Sequence, residues 1–181
     1  MPTLTLYPNA DESVAMSQYG SGTGNYGRIN ETTQDDTNGV TTSSTSGQVD
    51  LYGLPDPSQG GTINSVTVHF RSKWDYTGTV INQSYATPQV RIGGTTYSAT
   101  AQALGNTFQN YSRAWSTNPN TESAWTWQNI NDLIVGLHMN AGTYYPATIG
   151  AAYCSRLYVV VDYTESDANK LPAHLFFQGV R

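Results

Sequence analysis

LIVGLHM, from Leu133 to Met139, and LYVVVDY, from Leu157 to Tyr163, are the two stretches on which the fold turns. Leu133, Val135, Leu137 and Met139 are apolar in the first, and Leu157, Val159, Val161 and Tyr163 repeat the pattern in the second. Successive side chains leave a strand on opposite sides, so a period of two marks a strand with one buried face. Immediately upstream, Ala124 to Asp132 breaks that alternation: two tryptophans and Ile130 recur at looser spacing, and Thr126 stands where its hydroxyl can cap a first turn. This predicts one short helix near 125–132.

Working outward, Thr62 to Trp74 is the longest clean alternation. Val66, Val68, Phe70 and Trp74 fall on one face and Thr67, His69, Arg71 and Lys73 on the other, as expected of a central strand with one wet face. Gly93-Gly94 between two β-forming runs is a two-residue hairpin signal. Asn110 to Ser116 places Tyr111, Arg113 and Trp115 on one face. Thr3 to Tyr7 and Val49 to Leu54 complete the strand candidates, the latter with Val49 and Leu51 inward, and Asn25 to Glu31 suggests a short strand around Tyr26, Arg28 and Ile29. Thr32 to Gln48 is a polar, low-complexity run read as a long edge loop or hairpin.

Many short alternating strands, turn signals every 8–12 residues and one short helix predict an all-β fold, an antiparallel β-sandwich of jelly-roll type. At 181 residues the chain suits one such domain, placed at 1–164 and followed by an extension over 165–181. Charged residues make up only 12% and the net charge is -5, with eight Lys and Arg scattered singly, so no phosphate-binding patch forms and nucleic acid is not an expected partner. No window approaches the ~18 apolar residues of a membrane span. The N-terminal MPTLTLYPNADE has neither a basic segment nor an apolar core, so no Sec signal is expected.

Motifs of catalysis are missing from the sequence: no HExxH, G-x-S-x-G, Walker loop or CxxC. Gly22-x-Gly24-x-x-Gly27 lacks the strand-to-helix setting of a dinucleotide site, so no cofactor is expected and the glycines are read as loop residues. Asp35, Asp36 and Asn38 offer oxygen ligands, but not at the spacing of a Ca²⁺ loop, and read as a solvated turn. His69, with no second histidine at strand spacing, reads as a solvated side chain, and Cys154 as a small buried hydrophobe. Asp132 and Asp162 are the one acidic pair near the core strands. They read as a helix-end residue and a half-buried strand position rather than as a hydrolytic pair.

The order LYPNAD, INSVTVHFRSKW, IGGTTY, YSRAWSTNP, AWTWQNINDLIVGLHM and RLYVVVDY resembles a loosely defined group of β-sandwich modules of bacteriophages and prophages, found among virion surface, decoration and tail-associated proteins. That resemblance implies a jelly-roll fold and a non-enzymatic structural subunit. Its partners would be other copies of itself or a capsid or tail protein, on a particle surface, after synthesis in the host cytoplasm. It carries over no active-site residue. The aromatic content, 12% with 13 tyrosines, supports an alternative, a carbohydrate-binding or host-attachment module. Trp74, Trp115, Trp125 and Trp127 read as core, whereas Tyr76, Tyr144, Tyr145 and Tyr153 lie in or beside predicted loops and are the candidate contact residues. In the tail, Leu171, Leu175, Phe176, Phe177 and Val180 follow a polar linker. They are read as an arm for a neighbouring subunit, with fold-back on the domain and an expression remnant as the competing readings.

Overall fold

The computed structural model describes residues 2–166; Leu171, Leu175, Phe176, Phe177 and Val180 lie outside them. In chain order the strands are β1 (Thr3–Leu6), β2 (Ala10–Ser13), β3 (Ser17–Tyr19), β4 (Gly39–Thr42), β5 (Gln48–Gly53), β6 (Thr62–Trp74), β7 (Val80–Asn82), β8 (Tyr85–Ile92), β9 (Thr95–Ser98), β10 (Gln102–Ala103), β11 (Gln109–Trp115), β12 (Ile134–Asn140), β13 (Thr143–Tyr144), β14 (Thr148–Ile149) and β15 (Ala152–Thr164). The helix α1 (Trp127–Asn131) stands between β11 and β12. Its N-cap is Thr126, whose hydroxyl accepts from the Asn129 N–H while the Asn129 side chain accepts from the Thr126 N–H.

All strand pairings are antiparallel. One sheet runs β11-β6-β15-β4-β3, with β1 also on β15; the other runs β10-β8-β12-β5-β2, with β9 also on β8. The two inner faces meet in a jelly-roll-like β-sandwich. Val66, Val68, Phe70 and Trp74 of β6 and Leu157, Val159 and Val161 of β15 come from the first sheet, each 0–1% exposed. Val90 and Ile92 of β8 and Val135, Leu137 and Met139 of β12 face them from the second. Both stretches that open the sequence reading and β6 from Val66 to Trp74 keep the predicted register, while a bulge opposite Asp162 and Tyr163 brings Ile63 into the core as well. Gly93 and Gly94 close the β8–β9 hairpin, both with positive φ as a mirror-image turn requires. Trp74 and Trp125 are core residues, while Trp115 and Trp127 pack half-buried against it.

Two expectations fail for one reason. β5 faces the core with Asp50 and Tyr52, not with Val49 and Leu51: its register places Asp50 beside Leu137 and Tyr52 beside Val135. Asp50 is fully buried because four donors converge on it. They are the N–H groups of Ala15 (2.7 Å) and Met16 (2.9 Å), Asn25 Nδ2 (2.7 Å) and Tyr52 Oη (2.8 Å). A buried carboxylate is tolerable when its lone pairs are filled in this way. Leu51 takes the outer face of the sheet, against Gly136. The expected strand at 25–31 is instead a 3₁₀ turn, Tyr26–Arg28, because Asp11 accepts from the N–H groups of Asn25 and Tyr26 and turns the chain there.

Removing the Asp50 carboxylate strands four donors at once, three of them in buried bonds. Asp50→Ala is expected to cost about 3 kcal/mol or more, and Asp50→Asn less, since the amide keeps one acceptor oxygen. Urea unfolding of the three proteins checks that order.

Candidate functional site

Two surfaces carry aromatic side chains, and they differ in whether the rings are already occupied. The first is the outer face of the β6–β15 sheet. His69 is stacked on Tyr158 (4.8 Å, 5°), Arg156 lies over Tyr158 at 4.6 Å, and Tyr7 leans on Tyr158 at 5.7 Å. Further along, Lys73 lies 5.1 Å from the Phe108 ring and 4.9 Å from that of Tyr153, and Tyr19 meets Tyr153 edge-on. The same cations pin the loop before β4. Arg156 donates to the carbonyls of Glu31 and Thr32, and Arg71 donates to both oxygens of Asp36, whose carboxyl it holds below the usual carboxylate range. Beside this lies an open cleft of about 430 Å³ lined by residues 31–35. Ring faces here are covered by neighbours, so the layer fastens loops to the sheet.

Several sequence readings are corrected on this face. His69 is stacked and half-buried, not solvated. Burial first, and Arg156 second, lower its pKa below the ordinary histidine value. Tyr153 is a β15 residue held between Tyr19 and Lys73 and is no part of a loop surface. Asp36 is committed to Arg71 and Ser155, and Asp35 to Thr37 and Asn38. Among the described residues no group of three His, Cys, Asp or Glu is placed to hold a metal ion. Asp132 ends α1, accepting from Gln128, while Asp162 accepts from Asn64 on the long ladder. Cys154 is fully buried, which pushes its thiol up to about 11 and leaves it without nucleophilic character.

The second surface is a small sheet, β14-β13-β7, at the end of the sandwich where β6 finishes. Here Trp74 is completely buried, with Tyr76 against it at 4.4 Å and Tyr144 edge-on at 6.5 Å. Gly142 and Gly150 lie directly on the indole; a Cβ at Gly150 would overlap Trp74 Nε1 and the Asp75 carbonyl oxygen. Backbone bonds from Asp75 N to Ala151 O and from Gly150 N to Gly142 O hold the closure.

The outer side of this end-sheet is where apolar groups are left uncovered. Of the six exposed large hydrophobics among the described residues, four belong to this end-sheet, Val80 and Ile81 of β7, Ile149 of β14 and Tyr145 directly after β13, and a fifth, Tyr85, begins β8 three residues after β7 ends. Tyr145 is 70% exposed, and its side chain makes no ring, cation or hydrogen-bond contact with the other described residues. Asn82 donates to Thr143 Oγ1 (2.9 Å) across the strands, and the register sets Ile149 beside that pair. Neutral hydrogen-bonding groups therefore share this small sheet with the exposed ring of Tyr145, two residues after Thr143. Of the predicted contact residues, the structure brings Tyr76, Tyr144 and Tyr145 to this one place. Tyr76 and Tyr144 form the floor and Tyr145 the exposed face. Sequence reading missed Val80, Ile81 and Ile149, because strands of two or three residues carry no detectable period, and it missed Tyr85, the exposed first residue of β8.

No protein-family model matches the sequence, and no curated protein does. Solved structures similar to it are a CBM35 from Cellvibrio japonicus Abf62, a CBM22-1 xylan-binding domain from Paenibacillus barcinonensis Xyn10C and a CBM4. The first is 13% identical over 90% of this chain and 95% of that one, with a TM-score of 0.39. The second is 10% identical over 89% and 94%, at 0.45, and the third 8% identical over 68% and 89%, at 0.37. Likenesses this distant decide neither ligand nor origin, and the fold stands on its own strand pairing.

Gly150→Ala is expected to lift the end-sheet off Trp74, at a cost of about 1–3 kcal/mol for overpacking and a melting-point fall of roughly 2–10 °C; calorimetry reads it directly. A pH effect is expected from His69. Its folded pKa is depressed, so the unfolded chain binds the proton first, and stability falls as pH drops below about 6.5 toward the folded value. Denaturation midpoints at pH 7.5 and 5 measure that loss, which His69→Phe should remove.

Proposed function

We propose that this chain is a non-enzymatic binding module that holds carbohydrate on its end-sheet. The observation that carries the reading is Tyr145. A tyrosine ring 70% exposed, on a small sheet that also carries the Asn82 amide and the Thr143 hydroxyl, offers the apolar face and neutral hydrogen-bonding groups that a sugar requires. Exposed apolar groups gathered in one place mark an interaction surface, whereas single scattered ones do not. Trp74, Tyr76 and Tyr144 beneath give the surface a fixed floor, so little ordering is needed on binding.

The test is a glycan array with wild-type protein and Tyr145→Ala. Wild-type protein should bind, and the variant should lose about tenfold or more in affinity with its melting temperature unchanged, because the ring supports nothing else. A blank array for well-folded wild-type protein overturns the reading.

A second reading has its own observation. Val80, Ile81 and Ile149 are aliphatic, and such side chains gain more against protein than against sugar. On this reading the chain is a subunit of a virion-like assembly, as its sequence resemblance implies. The end-sheet would dock on another copy or on a capsid or tail protein, and the segment from Leu171 to Val180 would serve as an arm. Mass photometry should then show oligomers or particle binding. These should disappear in Ile149→Asp and on deletion of residues 171–181, with the melting temperature nearly unchanged. A strict monomer that binds no particle excludes it.

A further inference from the structure

Resting on the carbohydrate reading, we infer that the ligand is an interior stretch of an uncharged polysaccharide chain, neither an acidic glycan nor a sugar terminus. Charge is the first ground. Recognition of a uronate or sulfate calls for a cation with donors to spare; among the described residues the arginines are engaged elsewhere or lie along other strands, and Lys73, at the end of β6 beside the end-sheet, is already paired with an acid. Arg28 donates to the carbonyls of Tyr19, Gly20 and Gly22. Arg71 is held by Asp36 and Lys73 by Asp75. Arg113 donates to Gln102, and Arg156 to Glu31 and Thr32. Arg91 lies six residues along β8 from Tyr85, about 20 Å away at strand rise. The end-sheet instead offers amides and hydroxyls, on a chain whose net charge of -5 repels polyanions.

Openness is the second ground. Tyr145, Ile81 and Ile149, all on the small end-sheet or directly after its strand β13, are 70%, 53% and 52% exposed, so nothing among the described residues walls them in. Selecting a chain terminus requires enclosure of most of the sugar surface. A platform instead takes the face of one residue while the polymer continues on either side, and affinity accumulates over neighbouring units.

Titration calorimetry with neutral glucan, mannan and galactan oligosaccharides of graded length, and with oligogalacturonides of matched length, tests this at low and high salt. Affinity for one neutral series should climb about tenfold or more from the shortest to the longest member, be indifferent to salt and survive chemical blocking of both chain ends. Tyr145→Ala should abolish it. Preference for the oligogalacturonides with loss of binding at high salt overturns the inference while leaving carbohydrate binding intact. So does a monosaccharide that competes as well as the longest oligomer. No binding to any member, with the fold verified, overturns the carbohydrate reading itself.

Discussion

The β6–β15 ladder is the constraint on which the rest of the structure hangs. Two 13-residue strands pair along their length, from Thr62 opposite Thr164 to Trp74 opposite Ala152. Strands of that length are unusual in globular proteins, where five or six residues is the common size. Apart from the buried Ser72, their inner positions from Val66 to Trp74 and from Leu157 to Val161 are apolar, so a slip of one residue would drive Val66, Val68, Phe70, Leu157, Val159 and Val161 into water together. That penalty fixes the register. Bulges between Cys154 and Arg156 and between Asp162 and Tyr163 absorb the twist without disturbing it. Of the remaining strands of this sheet, β1, β4 and β11 each pair directly with one of these two, and β3 joins through β4.

The two ends of the ladder are finished differently. At the Thr62 end, Trp127 of α1 donates its indole N–H to the Gly61 carbonyl and meets Tyr163 edge-on, so the helix caps the sandwich. At the other end Trp74 has no helix over it. Its cover is the end-sheet, brought within contact by Gly142 and Gly150, and its indole N–H has no hydrogen-bond partner among the described residues. A buried unpaired donor costs free energy. Burial of the large ring between Tyr76 and Tyr144 compensates for that cost, and the outer side of the cover is left free for contact.

What could be read in advance follows from the range of the interactions involved. The β6, β12 and β15 registers were legible because a long strand writes its buried face as a period of two in its own residues. The Thr126 cap was legible because its partner is three residues away. β5 was not legible, since the donors that let Asp50 turn inward lie 25 to 35 residues upstream. The 3₁₀ turn at Tyr26 depends on Asp11, again a distant acid. Tyr76, Tyr144 and Tyr145 were found by their place in loops. That rule also selected Tyr153, which the β15 pairing with β4 and β6 draws into a strand.

Aromatic abundance alone therefore does not locate a contact surface. Outward positions of long strands have cross-strand neighbours on the same face at fixed spacing, and these neighbours consume the rings placed there. His69, Tyr158 and Arg156 show this: Tyr158 is opposite His69 in the ladder and covered by Arg156, two residues before it. A ring in the turn of a two-residue strand has no such neighbours. Tyr145 follows β13 directly, where its backbone N–H is fixed by the Thr79 carbonyl while its side chain is left 70% exposed. Backbone anchored and ring unclaimed is the combination a preorganised contact residue needs, and among the tyrosines of this surface the structure gives it to Tyr145.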